Sequence, residues 1–391
     1  MSGDVFSVAV RVYGYPPSHN AGSEWVLHSM LRPLARAGHR VTVWLSHPGD
    51  LGEVYEVDGV RVVPFQQGTD FAARVADSDV LISHYENVPV VAALGKANRI
   101  PVVVICHDNF SATYHNAAGA DLLVYNSEWI RRDGEIFYSR FCEEFLPRRS
   151  MVLRPPVFAD EYRTGPGDCA TLVNLNSDKG GDMFWQVAAW VPEWDFLGVR
   201  GAYGDQVMPS LRLSNCRVID GVAGKDMKSL VYGRSRVMVM PSLYESWGRV
   251  AVEALASGIP VVAHPTPGLV ESLGSAGIFA YRDDMEAWVA ALRSLRDPRN
   301  WEQASRRAKE RSRQLDPRRE LDAWCEVIEE VAAAGRYTRA AAAVRSVSPI
   351  RWAGAALKPM KYGDAAGVRA LASATGQPLS PALKGERLRS L

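Results

Sequence analysis

The sequence has little cysteine. Five residues, Cys106, Cys142, Cys169, Cys216 and Cys325, are spread over 391 positions. The count is odd and no two are spaced C-x-x-C, which argues against a disulfide framework and a cysteine zinc site and fits a reducing cytosol. Long apolar runs are missing as well. Stretches such as "PVVVIC" fall far short of the roughly 18 residues that a membrane span needs. The opening "MSGDVFSVAVRVYGY" has no basic segment followed by a long apolar one, so no signal peptide is expected. Net charge is nearly absent, at +1, and gives no whole-chain reason for a polyanionic partner. There is no G-x-x-x-x-G-K-[ST] phosphate loop and no G-x-S-x-G nucleophile elbow. These absences leave a soluble cytoplasmic protein, at most peripheral to a membrane.

Charge is uneven in one place. Residues 336–391 carry ten basic and two acidic side chains, net +8, in an Ala-, Gly-, Pro- and Ser-rich context. Such a segment is expected either to stay solvated or pack back on the chain, or to dock on an anionic surface: membrane, nucleic acid or an acidic protein. The "DSD" at 77–79 has the D-x-D shape of a metal-dependent site, but it precedes a strand rather than following one and is read as a loop.

What the sequence does have is alternation. Short β-branched runs (5–13, 39–46, 79–84, 100–106, 121–126) alternate with helical spacing such as "SEWVLHSMLRPLARAG" (23–38), which stops at Gly38. Continuous apolar strands between helices predict parallel sheets covered on both faces. The pattern breaks at "RPPVFADEYRTGPGDC" (154–169), a linker signal. It then restarts with strands at 170–176, 195–199, 216–220, 236–241 and 260–264, and helices at 181–191, over "KDMKSLVYGR" and through "VAVEALASG". "GSAGIFA" (274–280) reads as a turn. From about residue 282 to 335 the sequence reads as helix, and from 336 it changes character. The expectation is α/β: two doubly wound, Rossmann-like parallel-sheet domains facing across a cleft. Their bounds are 1–155 and 156–315, followed by a helix at 316–335 returning to the first domain and a basic tail at 336–391. Ligands of such sheets bind outside the carboxyl ends of the strands.

Two carboxylates stand out. In "PSLYESWGRVAVEALASGIPVV", Glu245 follows a strand-end Pro-Ser turn and Glu253 sits among small apolar residues where exposure is unnatural. The Ser246-Trp247-Gly248 backbone lies at a helix start, where free N–H groups favour anions and hydroxyl oxygens, and Gly248 permits close approach. The run resembles the signature of the retaining glycosyltransferases of family 4, which have the GT-B fold, with the pattern P-S-x-x-E-x7-E-A-x-A-x-G-x-P-V-V. The resemblance extends over about residues 5–335.

That resemblance implies roles. Glu253 would bind the nucleotide ribose, and Glu245 would contact the donor sugar, together with the backbone of Ser246, Trp247 and Gly248. Ala21 and Gly22, in "NAGSEW", would face the donor phosphates, with Ala21 departing from the usual glycine. Lys179, in "NLNSDKGGDMF", would hold the diphosphate. Asn174 stands where the family usually has arginine, and Arg200 or Lys225 is a guess for the missing charge. His107, at the end of "IPVVVICHDNF", would sit next to the anomeric carbon and the acceptor; His84, in "DVLISHYEN", is a second strand-end histidine on the acceptor side. The implied activity is metal- and cofactor-independent transfer of a sugar from a nucleotide-diphospho-sugar, UDP or GDP based, to a hydroxyl acceptor. The alternative is a catalytically degenerate binder of nucleotide or glycan.

Overall fold

The computed structural model describes residues 4–49, 52–209, 213–222 and 224–345, without the side chains of Lys225 and 340–345. The chain divides into two units. Of the described residues, unit 1 takes those within 4–19, 26–153 and 320–345, and unit 2 those within 20–25 and 154–319. The crossings thus fall at His19/Asn20, Trp25/Val26, Leu153/Arg154 and Arg319/Glu320.

Strands form where Val, Ile and Leu follow one another without helical spacing. In unit 1 they are β1 (Ser7–Val12), β2 (Arg40–Leu45), β3 (Tyr55–Val57), β4 (Val60–Val63), β5 (Val80–Ser83), β6 (Val102–Cys106), β7 (Leu122–Tyr125) and β8 (Ser150–Val152). They pair in the order β3-β4-β2-β1-β5-β6-β7-β8. Every pairing is parallel except β3 with β4. That antiparallel edge hairpin, absent from the expected layout, turns at Asp58-Gly59. Both residues have positive φ, 50° and 81°, the demand of a tight hairpin turn that Asp-Gly meets cheaply.

Unit 2 contains β9 (Cys169–Val173), β10 (Phe196–Val199), β11 (Cys216–Ile219), β12 (Ser235–Met240), β13 (Val261–Ala263) and β14 (Gly277–Phe279). They form one parallel sheet ordered β11-β10-β9-β12-β13-β14. Both faces are buried. Val237 and Val239 pack on one side with Phe184, Trp185 and Trp288. Met238 and Met240 pack on the other with Trp247, Ala251 and Leu255. β14 corrects the reading of 274–280 as a turn: only Gly274–Ala276 is a 3-10 turn, and the three strand residues are too few to show a period. The expected helix over 225–234 is instead a one-turn helix, Met227–Leu230, between two 3-10 turns, Gly224–Asp226 and Tyr232–Arg234.

The last helix, Arg318–Arg345, runs ten residues past the expected boundary at 335. Within unit 1 it buries Leu321, Trp324, Ile328 and Ala332, and the Trp324 indole donates to the Met30 carbonyl at 2.8 Å. Asp79, from the D-x-D stretch, proves to be its anchor. Its carboxylate accepts from Ser7 N at 2.8 Å, from Arg336 Nε and Nη2, each at 2.7 Å, and from Arg339 Nη2 at 3.1 Å. Two of the ten tail cations are therefore spent inside the unit. Residues 346–391, the rest of the expected basic tail, lie outside the described residues. Among the described residues no helix is long and apolar enough to cross a membrane.

Burial pushes the Asp79 carboxyl up, but the Arg336 hydrogen bonds, the Ser7 N–H and the two guanidinium charges outweigh it, so Asp79 titrates below its ordinary range. A lowered carboxyl contributes stability above its unfolded value, lost as pH falls through the folded one. Asp79→Asn is expected to cost about 2 kcal/mol in urea unfolding at pH 7, with the deficit shrinking below about pH 3.8. Equal stability at pH 7 would rule out this anchor.

Candidate functional site

Each sheet reverses direction once, and ligands of open α/β sheets collect outside the carboxyl ends at such reversals. In unit 2 the chain leaves β9 toward β10 and returns on the other side through β12. The loops that follow β9 and β12 meet there. Lys179 Nζ, after β9, donates to Glu245 Oε1, after β12, at 2.6 Å. The same oxygen accepts from Ser242 Oγ at 3.0 Å. Glu245 Oε2 has no protein partner among the described residues. Burial pushes the Lys179 ammonium down, yet the Glu245 charge outweighs it and holds Lys179 above its ordinary value, so it remains a cation.

Gly248 caps the helix Arg249–Ala256 in a left-handed conformation, φ 82°. A Cβ there would lie 2.5 Å from the Leu269 Cδ2. Gly268 has the same role from the facing turn: a Cβ would meet Glu245 O at 2.2 Å. These two glycines let the Glu245–Gly248 loop seat on the turn that opens the helix Pro267–Leu273.

Glu253 is 5% exposed, within a helix whose residues 251–256 are all buried. Its Oε1 accepts from Arg249 Nε at 2.6 Å and its Oε2 from Tyr232 Oη at 2.5 Å. Arg249 Nη2 in turn donates to Tyr162 Oη at 2.8 Å. Burial, then the Glu253 charge, raises Tyr232 well above its ordinary value, so it serves as a donor. Each carboxylate oxygen has a further lone pair for a ligand hydroxyl. Among the described residues, Trp247 Nε1, Arg249 Nη1 and His264 Nδ1 are buried without a hydrogen-bond partner. Arg249, Tyr232 and Tyr162 were not found by sequence reasoning. Arg249 had a signal, four residues before a buried glutamate; the tyrosines had none.

Asn174 adopts φ 70° and turns its carboxamide inward. Its Oδ1 accepts from Asn176 N at 3.2 Å and from Gln206 Nε2 at 3.0 Å, while Gln206 Oε1 takes Gly201 N at 2.7 Å. Residue 174 therefore ties down the loop after β10 and supplies no charge. Of the guessed substitutes, Arg200 is half exposed and faces Asp220 at 3.5 Å; Lys225 lies outside the described side chains. A cation not anticipated, Arg282, lies beside Gly180: a Cβ on that glycine would be 2.8 Å from Arg282 Nη1, and the guanidinium donates to the Pro241 carbonyl. Gly22 opens the helix Gly22–Arg36 with no atom within 4 Å of a Cβ built on it.

In unit 1 the reversal lies between β1 and β5. His84 follows β5 and His107 follows β6. Both are buried, and His84 Nδ1 lies 2.8 Å from His107 Nε2, so one ring donates to the other. Tyr85, at φ 52°, has its ring 4.9 Å from His84 and 5.2 Å from His107. Sequence spacing alone did not pair these histidines; adjacent parallel strands do. Among the described residues no group of three or more His, Cys, Asp or Glu side chains is arranged to hold a metal ion.

Two family models match. Residues 21–147 match Glycosyltransferase Family 4 and residues 180–297 match Glycosyl transferases group 1. The chain is similar to D-inositol 3-phosphate glycosyltransferase of Saccharomonospora viridis, 35% identical over 131 residues, 33% of this chain and 30% of that protein. It is also similar to glycogen synthase of Mycobacterium tuberculosis, 33% identical over 193 residues, 45% and 46% of the two chains. The chain spans less than half the length of these curated relatives. The solved structure of Anabaena HepE in complex with UDP-glucose superposes with a TM-score of 0.65 at 17% identity, over 84% of this chain and 100% of that one.

The histidine pair makes a pH prediction. Burial lowers both rings, His107 to about 4 and His84, which also feels His107, well below its ordinary value. A histidine lowered in the folded state is stabilising when neutral; the unfolded chain takes the proton first, so stability is lost as pH falls from about 6.5 toward 4. The unfolding free energy should decline over that range by about 1.4 kcal/mol per pH unit for each histidine. Urea titrations of wild type and His107→Gln check this. The variant should show the shallower slope; identical slopes would mean that His107 is not buried neutral.

Proposed function

The chain carries the family 4 and group 1 glycosyltransferase domains of the GT-B fold, and from that premise we propose that it is a retaining glycosyltransferase. The donor is a nucleotide-diphospho-sugar held at the switch point of unit 2, and the acceptor hydroxyl is recognised by unit 1. The observation that carries this reading is the Lys179–Glu245 pair, a cation and a carboxylate 2.6 Å apart.

The chemistry suits those groups. The bond between the anomeric carbon and the β-phosphate oxygen breaks, and its electron pair leaves with the nucleoside diphosphate. Lys179 offsets the charge that builds on the leaving phosphate. Glu245 Oε2 accepts from a sugar hydroxyl, and Glu253 from a ribose hydroxyl. The acceptor oxygen closes the new bond on the face that the phosphate leaves, and its proton passes to the phosphate oxygen. A neutral His107 orients substrate and does not take that proton. No step draws on a metal ion. A uridine diphosphate sugar is the first donor to try, because HepE, a fold neighbour, is solved with UDP-glucose.

Transfer from a panel of uridine and guanosine diphosphate sugars, with the product anomer read by proton NMR, tests the proposal. Retained configuration is expected; inversion would overturn the mechanism. Lys179→Met should lower turnover by about 10²–10³-fold. Nucleotide binding without turnover on any donor would favour a degenerate binding protein.

A further inference from the structure

Arg11 has no counter-ion. It lies in β1, one residue short of the carboxyl end, in register with Trp44 of β2 and Ser83 of β5, and so borders the switch point of unit 1. It is only 8% exposed. Its guanidinium sits 4.9 Å from the centre of the Phe71 ring. Among the described residues it makes no ion pair and no side-chain hydrogen bond, and its Nη1 is fully buried without a partner. Arg32, buried to the same 8%, faces Asp58 at 3.6 Å. Burial lowers the Arg11 guanidinium to about 10, which still leaves it charged at neutral pH.

A second observation lies one strand away. His47, just beyond the carboxyl end of β2, has Nδ1 buried without a partner. Its ring is 4.7 Å from Tyr13 and 5.2 Å from His19, and Tyr13 is 44% exposed. The carboxyl ends of β1 and β2 thus combine an open aromatic surface with two unpartnered nitrogen atoms.

An unpaired buried charge is strongly destabilising unless something else takes up the hydrogen bonds. A ring contact alone does not satisfy a guanidinium's fork of donors, which matches the paired oxygens of phosphate or carboxylate. We propose that Arg11 anchors an anionic substituent of the acceptor, a phosphate monoester or a carboxylate, while Tyr13, His19 and His47 face its hydroxylated ring. This rests on the reading that unit 1 binds the acceptor, and it narrows that acceptor to an acidic sugar or polyol.

The test is isothermal titration of the full chain, wild type and Arg11→Met, with a hexose 6-phosphate, a hexuronate and the neutral hexose. A saturating nucleoside diphosphate keeps the phosphate probe out of the donor site. Wild type should bind at least one anionic probe more tightly than the neutral hexose. Arg11→Met should weaken that probe by about 10- to 100-fold and leave the neutral hexose unchanged. Which anion responds separates phosphate from carboxylate. The thermal midpoint of Arg11→Met should equal or exceed that of wild type, because an unpaired buried charge is gone. Unchanged affinities, or a lowered midpoint with unchanged affinities, would make Arg11 a packing group and overturn the proposal. Should Arg11→Met fail to fold, Arg11→Lys, which keeps the charge but loses the fork, should show the same selective loss. Nucleoside diphosphate titrated alone separates the two readings. Its failure to bind while the Arg11-dependent anion binds strikes the donor assignment only, and the converse strikes the anion site only.

Discussion

A carboxylate buried in an apolar helix governs the arrangement of unit 2. Glu253 lies among Ala251, Val252, Ala254, Leu255 and Ala256, all buried, where an uncompensated charge would cost several kcal/mol. It is tolerable because Arg249 sits one turn earlier on the same helix face and Tyr232 reaches it from the segment before β12. Arg249 is itself buried and leans on Tyr162, just beyond the crossing from unit 1. Two segments are thereby locked to one helix. That helix begins at Gly248, and its position fixes the preceding loop, hence where Glu245 meets Lys179. Removing Tyr162 or Tyr232 would disturb the site through the helix without either hydroxyl touching substrate.

The two switch points solve opposite electrostatic problems. Unit 2 keeps a true cation, Lys179, because Glu245 opposes the desolvation that would discharge it. Unit 1 keeps two imidazoles neutral, because nothing opposes burial and a charge on His84 would be repelled by one on His107. A fixed positive charge suits a departing phosphate. A neutral hydrogen-bonded ring suits a hydroxyl that must be held without being deprotonated. These are roles that burial and one neighbour assign to common side chains.

Much of this was legible in the sequence, and the limits were physical. Apolar runs located the longer strands because a parallel sheet covered on both faces demands them. The E-x7-E run marked the Glu245 loop and the buried helix because a carboxylate among small apolar residues is anomalous in one dimension. Pairings across sequence were not legible. His84 and His107 are 23 residues apart and meet only because β5 and β6 are neighbours; Lys179 and Glu245 meet only because β9 and β12 are. The β3–β4 hairpin was legible in its Asp-Gly turn and was passed over; three-residue β14 carries too little pattern to find. Asn174 reads as a lost cation in sequence, whereas its left-handed backbone and Gln206 give it a structural task.

The unsatisfied groups bear on the ligands proposed above. Among the described residues, seven buried side-chain polar atoms lack a partner, and all seven are nitrogen. Three of them, on Arg11, His47 and His264, lie at or just beyond the carboxyl ends of strands, and two, on Trp247 and Arg249, lie in the loop and helix that follow β12. Each orphan costs on the order of 1–3 kcal/mol, a penalty that a fold under pressure for stability alone would shed by substitution. Buried N–H groups without a partner, as on Arg11, Trp247 and Arg249, are complementary to oxygen: phosphate, carboxylate and hydroxyl. A surface that holds them is least stable when empty, and the free energy recovered on filling it is what a ligand rich in those oxygens would gain.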